Sequence, residues 1–267
     1  MQILIKIIRI LQNTPFNPNW LWITKFNELN NKIVNQHLYG DILEVGAGSG
    51  LRKAQILSNN TGNITSYIAT DYEGWDNFYE KIKSNKLYML FNPDLGSRKL
   101  DGVCSATNLP YEDKKFDCHI SFEVLEHMED IDKYFSEAYR VIKPGGIIYF
   151  STPFMYPLHG DPPEFKHDYM RFGNGLYYLI AQKYDLRLIG IESNTGLGTT
   201  MAAFVSHYLS TKIQNSNNIL VKVLISTFLI PTALLLNMAG YIIDLDPDTK
   251  FSSRFHVIYK KEKLEQI

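Results

Sequence analysis

The segment Asp41-Ile-Leu-Glu-Val-Gly-Ala-Gly-Ser-Gly50 limits what this chain can fold into more than any other stretch. A short apolar, β-branched run ends in glycines at 46, 48 and 50, and helix-forming residues begin at Leu51, the pattern of a buried strand turning tightly into a helix. Glycines there let the backbone come close to a ligand, and the unpaired amides of the following helix favour a carboxylate. Leucine stands at position 51, where a dinucleotide-binding loop would have its third glycine. The G-x-G-x-G spacing therefore argues against NAD as first choice.

Further short runs follow the first at Ile42–Val45: Tyr67–Thr70, Gly102–Ser105, Asp117–Phe122, Ile147–Ser151, Leu186–Glu192 and His256–Lys260. Helical patterns separate them, which predicts βαβ units and a parallel sheet. Ile131–Ile142 has the helical period and ends in Lys143-Pro144-Gly145-Gly146, a stop that feeds the fifth strand. Trp20–Leu38 has apolar residues near amphipathic spacing and is expected to cover one face of the sheet or the ligand pocket. The layout read from these patterns is N-terminal cap helices over 1–38, a core over 39–194 and 251–263, and a hydrophobic insertion over 195–250.

Composition narrows the function classes. A hydrophobic share of 45% with 21% charged residues describes a folded chain, outside the disordered range. Twenty-seven Lys and Arg against 28 Asp and Glu give a net charge of −1, so no basic field gathers nucleic acid and no nucleic-acid partner is expected. Cys104 and Cys118 fall in adjacent predicted strands and read as reduced structural thiols, which points to the cytoplasm. The N-terminal run Met1–Gln12 is interrupted by Lys6 and Arg9 and makes a poor signal peptide.

Val223–Ile243 has 21 residues without a charge, enough to cross a bilayer core at about 1.5 Å per residue. A single crossing would strand the sixth and seventh strands on opposite sides of the membrane, so the segment must return. Pro231 removes a backbone donor and predicts a break there, giving two shorter helices in a hairpin or lid. Peripheral membrane contact at the inner face, aided by Lys222 and the N-terminal run, is weighed against a buried lid or a dimer interface.

Thr70-Asp71 puts a carboxylate 21 residues after Gly50, where an open α/β sheet binds ribose hydroxyls. With Glu44-Val-Gly-Ala-Gly-Ser-Gly50, Ala106-Thr-Asn-Leu-Pro110, Phe116-Asp117, Glu123-Val-Leu-Glu-His127 and Lys143-Pro-Gly-Gly146, the chain over about 38–195 resembles the class I S-adenosylmethionine-dependent methyltransferases. The resemblance implies a Rossmann-like, seven-stranded, mostly parallel sheet with helices on both faces and an antiparallel last strand. It implies S-adenosyl-L-methionine as cofactor. Glu44, Gly46, Ala47, Gly48 and Gly50 would flank the methionine moiety, Asp71 and Tyr72 the ribose, and Thr107, Asn108 and Leu109 the adenine, with Phe122 and Glu123 as the floor. Ala106 stands where the family often has an acidic residue; Asn108 could supply that hydrogen bond.

Candidate bases lie in the proline-bracketed stretch after the fifth strand, which holds His159, Asp161, His167, Asp168, Tyr169 and Arg171. His159 and His167 lead, because a neutral imidazole can accept a hydroxyl proton near neutral pH. Pro157-Leu-His159 through His167-Asp-Tyr169-Met-Arg171-Phe172 looks like a segment of methyltransferases encoded with surface-polysaccharide and lipid-linked glycan machinery. That implies a sugar, small-molecule or lipid-linked acceptor. Glu123, Glu126 and His127 form an E-x-x-E-H motif similar to one that binds a divalent metal in ubiquinone-pathway and small-RNA O-methyltransferases. The plainer role, a cap or pocket wall with no metal, is preferred. The rivals to methyl transfer are a non-catalytic membrane-associated assembly partner and a nucleotide-dependent oxidoreductase.

Overall fold

A computed structural model describes residues 11, 13–59, 63–75, 80, 99–159 and 166–262. The N-terminal run over 1–10 and Asp161 lie outside them. The chain divides into two compact units: one comprises Met1–Leu29, Phe154–Pro157 and Ser193–Arg254, the other Asn30–Pro153, Leu158–Glu192 and Phe255–Ile267.

The described elements are α1 (Trp20–His37), β1 (Gly40–Val45), α2 (Leu51–Asn59), β2 (Ile64–Asp71), β3 (Gly102–Val103), β4 (Phe116–Phe122), α3 (Ile131–Val141), β5 (Ile142–Pro153), α4 (Asn174–Lys183), β6 (Leu186–Glu192), α5 (Leu197–Asn215), α6 (Ile219–Ile243) and β7 (Arg254–Lys261). The seven strands form one sheet in the order β3-β2-β1-β4-β5-β7-β6. β1 pairs in parallel with β2 and β4, β2 with β3, and β4 with β5, while β6 and β7 are antiparallel. All the carboxyl ends from β1 to β5 therefore face one way, and the strand order reverses between β1 and β4, where open sheets bind ligands.

The sheet is buried on both sides. Residues Ile42–Val45 and Cys118–Phe122 have no exposed member, as a parallel sheet covered by helices requires. Helix α3 begins at an Asp130 cap that accepts the Lys133 amide and buries Tyr134, Phe135, Ala138 and Val141, one face of the helix. Phe135 meets Phe150 and Tyr259 edge-on, packing worth about 1 kcal/mol per pair beyond area burial. In the second half of α1, Ile33 and Val34 are buried and Asn30 accepts the Tyr149 hydroxyl of β5 at 2.9 Å, so that half covers the sheet. Tyr149 gives its one proton to Asn30, so the His256 Nδ1 at 2.7 Å is the donor to the tyrosine oxygen.

Three expectations change in detail. The third strand stops at Val103, because the chain turns back at once through the Ser105–Asn108 bridge. The fifth begins at Ile142 and absorbs Lys143–Gly146 as an irregular start, Phe116 pairing with Ile142 and Cys118 with Ile147. Pro231 does not break the apolar run: α6 continues through it for 25 residues. A helix-interior proline forfeits one hydrogen bond and crowds the preceding turn; here it sits on an exposed face, away from the side that packs on α5. The return expected at Pro231 is made instead by the turn at 216–218 between α5 and α6.

In the first unit α5 and α6 run antiparallel in contact through small residues. A Cβ on Gly198 would lie 2.4 Å from the Gly240 carbonyl oxygen, and one on Gly240 would lie 2.7 Å from that of Gly198. Asp244, just past α6, accepts the amides of Gly196, Gly198 and Thr199 at 2.9, 3.0 and 2.7 Å, capping the start of α5. Gly198→Ala in an open helix would stabilise by about 1 kcal/mol. Against the Gly240 backbone it is expected to destabilise by about 2 kcal/mol, read from the shift in denaturant midpoint; a stabilised variant would show that the two helices do not touch here.

Candidate active site

The glycine loop takes its shape from backbone conformations that side chains resist. Gly46, Gly48 and Gly50 have φ of 67°, 61° and 75°. A Cβ on Gly46 would lie 2.3 Å from Cγ2 of Val124, so β1 and the segment after β4 can approach this closely only with glycine there. Beside this contact, Glu123 holds φ of 55°, a left-handed conformation costing a non-glycine residue about 1 kcal/mol or more. Ser151 of β5 secures it, its carbonyl accepting the Glu123 amide at 3.1 Å and its hydroxyl donating to Glu123 Oε1 at 2.8 Å.

Asp71 ends β2 beside the loop. Its Oδ2 accepts the Gly48 amide at 2.9 Å and its Oδ1 the Tyr72 amide at 2.7 Å. Tyr72 is exposed alongside. Glu44 is buried and accepts the Tyr67 hydroxyl at 2.8 Å. Burial pushes its carboxyl up, against the Arg52 guanidinium 4.0 Å away. Arg52 lies over the Phe122 ring at 4.5 Å, a cation near the glycine loop, where a ligand carboxylate would be met. The sequence reading missed both Tyr67 and Arg52. Tyr67 shared a strand face with Ala69 and Asp71, a usable signal; Arg52 gave none, since an arginine in a first helical turn is ordinary.

Leu109 is held by α3: its amide donates to Glu137 at 2.7 Å and its carbonyl accepts from Arg140 at 3.0 Å. Thr107 Oγ1 and Ser105 Oγ share a hydrogen bond of 2.8 Å, Asn108 is exposed, and Ala106 is buried. Glu44, Gly46, Ala47, Gly48, Gly50, Asp71, Tyr72, Phe122 and Glu123 thus gather at the carboxyl ends of β1, β2 and β4. Thr107, Asn108 and Leu109 stand on the loop after β3.

A second cluster begins two residues beyond Val124, on the single 3-10 turn Leu125–His127. Among the described residues neither oxygen of the fully buried Glu126 carboxylate has a hydrogen-bond partner; the nearest cationic candidates are His159 Nε2 at 3.5 Å and His127 Nε2 at 3.8 Å. Burial pushes the Glu126 carboxyl up to about 7 and pushes His127 down. The His159 amide donates to Asp168 Oδ2 at 2.8 Å, and Arg171 pairs with both oxygens of that carboxylate. Burial works to raise Asp168, but the hydrogen bonds from Arg171 and His159 outweigh it and hold the carboxyl below its usual range. Of the two histidines proposed as bases, His159 has its ring in this cluster. His167 has its ring at 3.1 Å from the Tyr169 hydroxyl and its carbonyl 2.6 Å from His127 Nδ1.

One ligand atom each from Glu126, His127 and His159 lie within 4.8 Å of one another, a set that could hold a cation. The cap or pocket-wall role expected of His127 is compatible with the same geometry, and the Glu126 oxygens, without a hydrogen bond among the described residues, would suit such an ion. Glu123, the other acid of the E-x-x-E-H motif, is engaged with Ser151 instead.

Residues 43–150 match the family described as a methyltransferase domain. Mitochondrial ubiquinone biosynthesis O-methyltransferase of Rattus norvegicus is 31% identical over 112 residues, 42% of this chain and 30% of that protein. Squalene methyltransferase 1 of Botryococcus braunii is 28% identical over 139 residues, 50% of this chain and 34% of that protein. The chain thus spans about a third of the length of these curated relatives. Phosphoethanolamine N-methyltransferase 2 of Haemonchus contortus, solved with S-adenosyl-L-methionine, shares the fold at a TM-score of 0.51 and 18% identity, over 96% of this chain and 60% of that one. Across the matched residues, the tight Gly46 and Val124 contact, the buried Glu44 and the amide-held Asp71 form a cradle that S-adenosylmethionine would fit.

The Glu126 carboxyl binds its proton more tightly in the folded protein than in the unfolded chain. Its contribution to stability is full below the ordinary carboxylate pKa of about 4.3 and is lost as pH rises through about 7. In chelator-treated protein, wild type relative to Glu126→Gln is expected to lose about 2 kcal/mol of unfolding free energy between about pH 5 and about pH 8. Parallel stability curves for the two proteins would contradict a buried, protonated Glu126.

Proposed function

We propose that this protein transfers the methyl group of S-adenosylmethionine to a hydroxyl oxygen of a sugar or lipid-linked acceptor, with His159 as the base. The observation that carries the reading is that the His159 ring lies beside the buried Glu126 carboxylate, on the turn that continues directly from the donor-side residues Glu123 and Val124.

The sulfonium donor, when bound, supplies an already activated methyl group. The protein has to align the nucleophile, exclude water and, for oxygen, remove its proton. A neutral His159 imidazole accepts that proton, and the Asp168 carboxylate, 3.5 Å from its Nδ1, stabilises the imidazolium that results. Asp168 also holds the His159 backbone, with Arg171 closing the far side of the pair. Oxygen is favoured as nucleophile because the rat relative is by name an O-methyltransferase. The sugar or lipid-linked class rests on the likeness of the Pro157–Phe172 stretch to methyltransferases of glycan machinery.

A second reading is favoured by the Glu126, His127 and His159 geometry. A divalent cation held there would polarise the acceptor hydroxyl as a Lewis acid, and His159 would be a ligand instead of the base.

Calorimetric titration of S-adenosylhomocysteine is expected to show saturable binding, weakened at least about tenfold by Asp71→Ala through loss of charge-assisted hydrogen bonds. Absence of binding to folded protein would favour a non-catalytic assembly partner, and displacement by NAD an oxidoreductase.

With labelled donor and a panel of glycan and lipid-linked acceptors, His159→Ala is expected to reduce turnover by about 10² or more while leaving product affinity unchanged. His167→Ala should stay within a few-fold. Equal losses for both histidines would remove His159 from its role, and loss of activity on chelation with recovery on adding magnesium would select the cation reading.

A further inference from the structure

The unit containing α5 and α6 buries polar groups beside apolar ones, while the outer faces of both helices are apolar. Thr199, Thr200, Ser206, Asn237 and Asp244 are buried. Asn237 donates to the carbonyls of Pro15 and Asn17 at 2.8 Å each, and Asp244 receives the three amides at the start of α5. On the outer face of α6, Leu224, Phe228, Leu235 and Ile242 are 59%, 60%, 70% and 63% exposed. The outer stripe of α5 continues this surface with Leu197, Met201, Phe204 and Tyr208. A helix facing water carries its charges on the side away from the core, yet Lys222 is the only charged residue in α6. Just 13% of the most apolar stretch of Leu220–Ile243 is buried within the protein.

Apolar surface of this extent needs a covering phase, and three features fit a lipid one. The 24 residues of Leu220–Ile243 are about 36 Å long, against roughly 30 Å for the hydrocarbon of a bilayer. The two helices meet backbone to backbone at Gly198 and Gly240, close packing that holds helices together without a hydrophobic drive between them. Lys212 and Lys222 flank the polar turn Ser216-Asn217-Asn218, so both ammonium groups fall at one end of the apolar zone, where phosphates would receive them. We propose that α5 and α6 are a helical hairpin inserted in a phospholipid bilayer, its outer face among the acyl chains and Lys212 and Lys222 at the level of the phosphates. The proposal does not depend on the acceptor or on the base.

The full chain, mixed with vesicles of phosphatidylcholine containing a minor share of phosphatidylglycerol, is expected to float with them and to stay bound in about 1 M sodium chloride, which screens surface attraction. A Leu224→Asp, Phe228→Asp, Leu235→Asp triple variant should float at least about tenfold less while still binding S-adenosylhomocysteine. Phe228→Trp, which keeps the surface apolar, should gain tryptophan emission that acyl-chain-brominated lipid quenches. Wild-type protein that remains in the dense fraction, or that floats only at low salt, would overturn insertion. So would unquenched emission from Phe228→Trp, or a lipid-free dimer that the triple variant makes monomeric, since a second copy would then cover the face.

Discussion

The closeness of Val124 to Gly46 is the constraint on which the donor side depends. With any side chain at 46, the turn after β1 and the turn after β4 would have to separate. Contact at that point brings Glu123 into a left-handed conformation beside the glycine loop, where Ser151 ties it to the neighbouring strand. The same short connection puts Glu126 and His127 within one turn of the donor residues. Glu126 and His127 thus lie a few peptide units from the glycine-loop contact at the switch point of the sheet.

The environments on the two sides differ in kind. On the donor side, charges are met: Asp71 by backbone amides, and Glu44 by Tyr67 and Arg52. Around His159, Glu126 is buried with no hydrogen bond to its carboxylate among the described residues and its carboxyl rises, while Asp168 is held low by Arg171 and the His159 amide. Two carboxyls driven apart around one imidazole are what proton transfer near neutral pH uses. In the first unit Asn237 and Asp244 are buried while Leu224 and Leu235 of α6 are exposed.

The parallel sheet was legible because βαβ units write themselves locally: buried strands as apolar runs, turns as glycine and proline. The limits of β1, β6 and α3 follow from those signals within a residue or two. Pro231 misled because a proline's local preference against helix was outweighed by an apolar segment packed along α5. Among the site residues, the loop glycines and Asp71 were readable from spacing. Tyr67 was readable from its place on the Asp71 face of the second strand, but Arg52 and the Glu137–Arg140 clamp on Leu109 were not, since no local spacing links them to the residues they act on.

The sequence by itself determined the strand-glycine-helix turn, the position of Asp71 after the second strand, and a long uncharged segment between the last two strands. These are local patterns of hydrophobicity and backbone freedom, which a chain carries before it folds. Only the tertiary structure decided that His159 and not His167 turns its ring toward Glu126, that α5 and α6 form the hairpin, and that their leucines face outward. Such outcomes depend on which distant groups share a buried space, and desolvation and hydrogen bonding are settled there by contacts that no local spacing encodes.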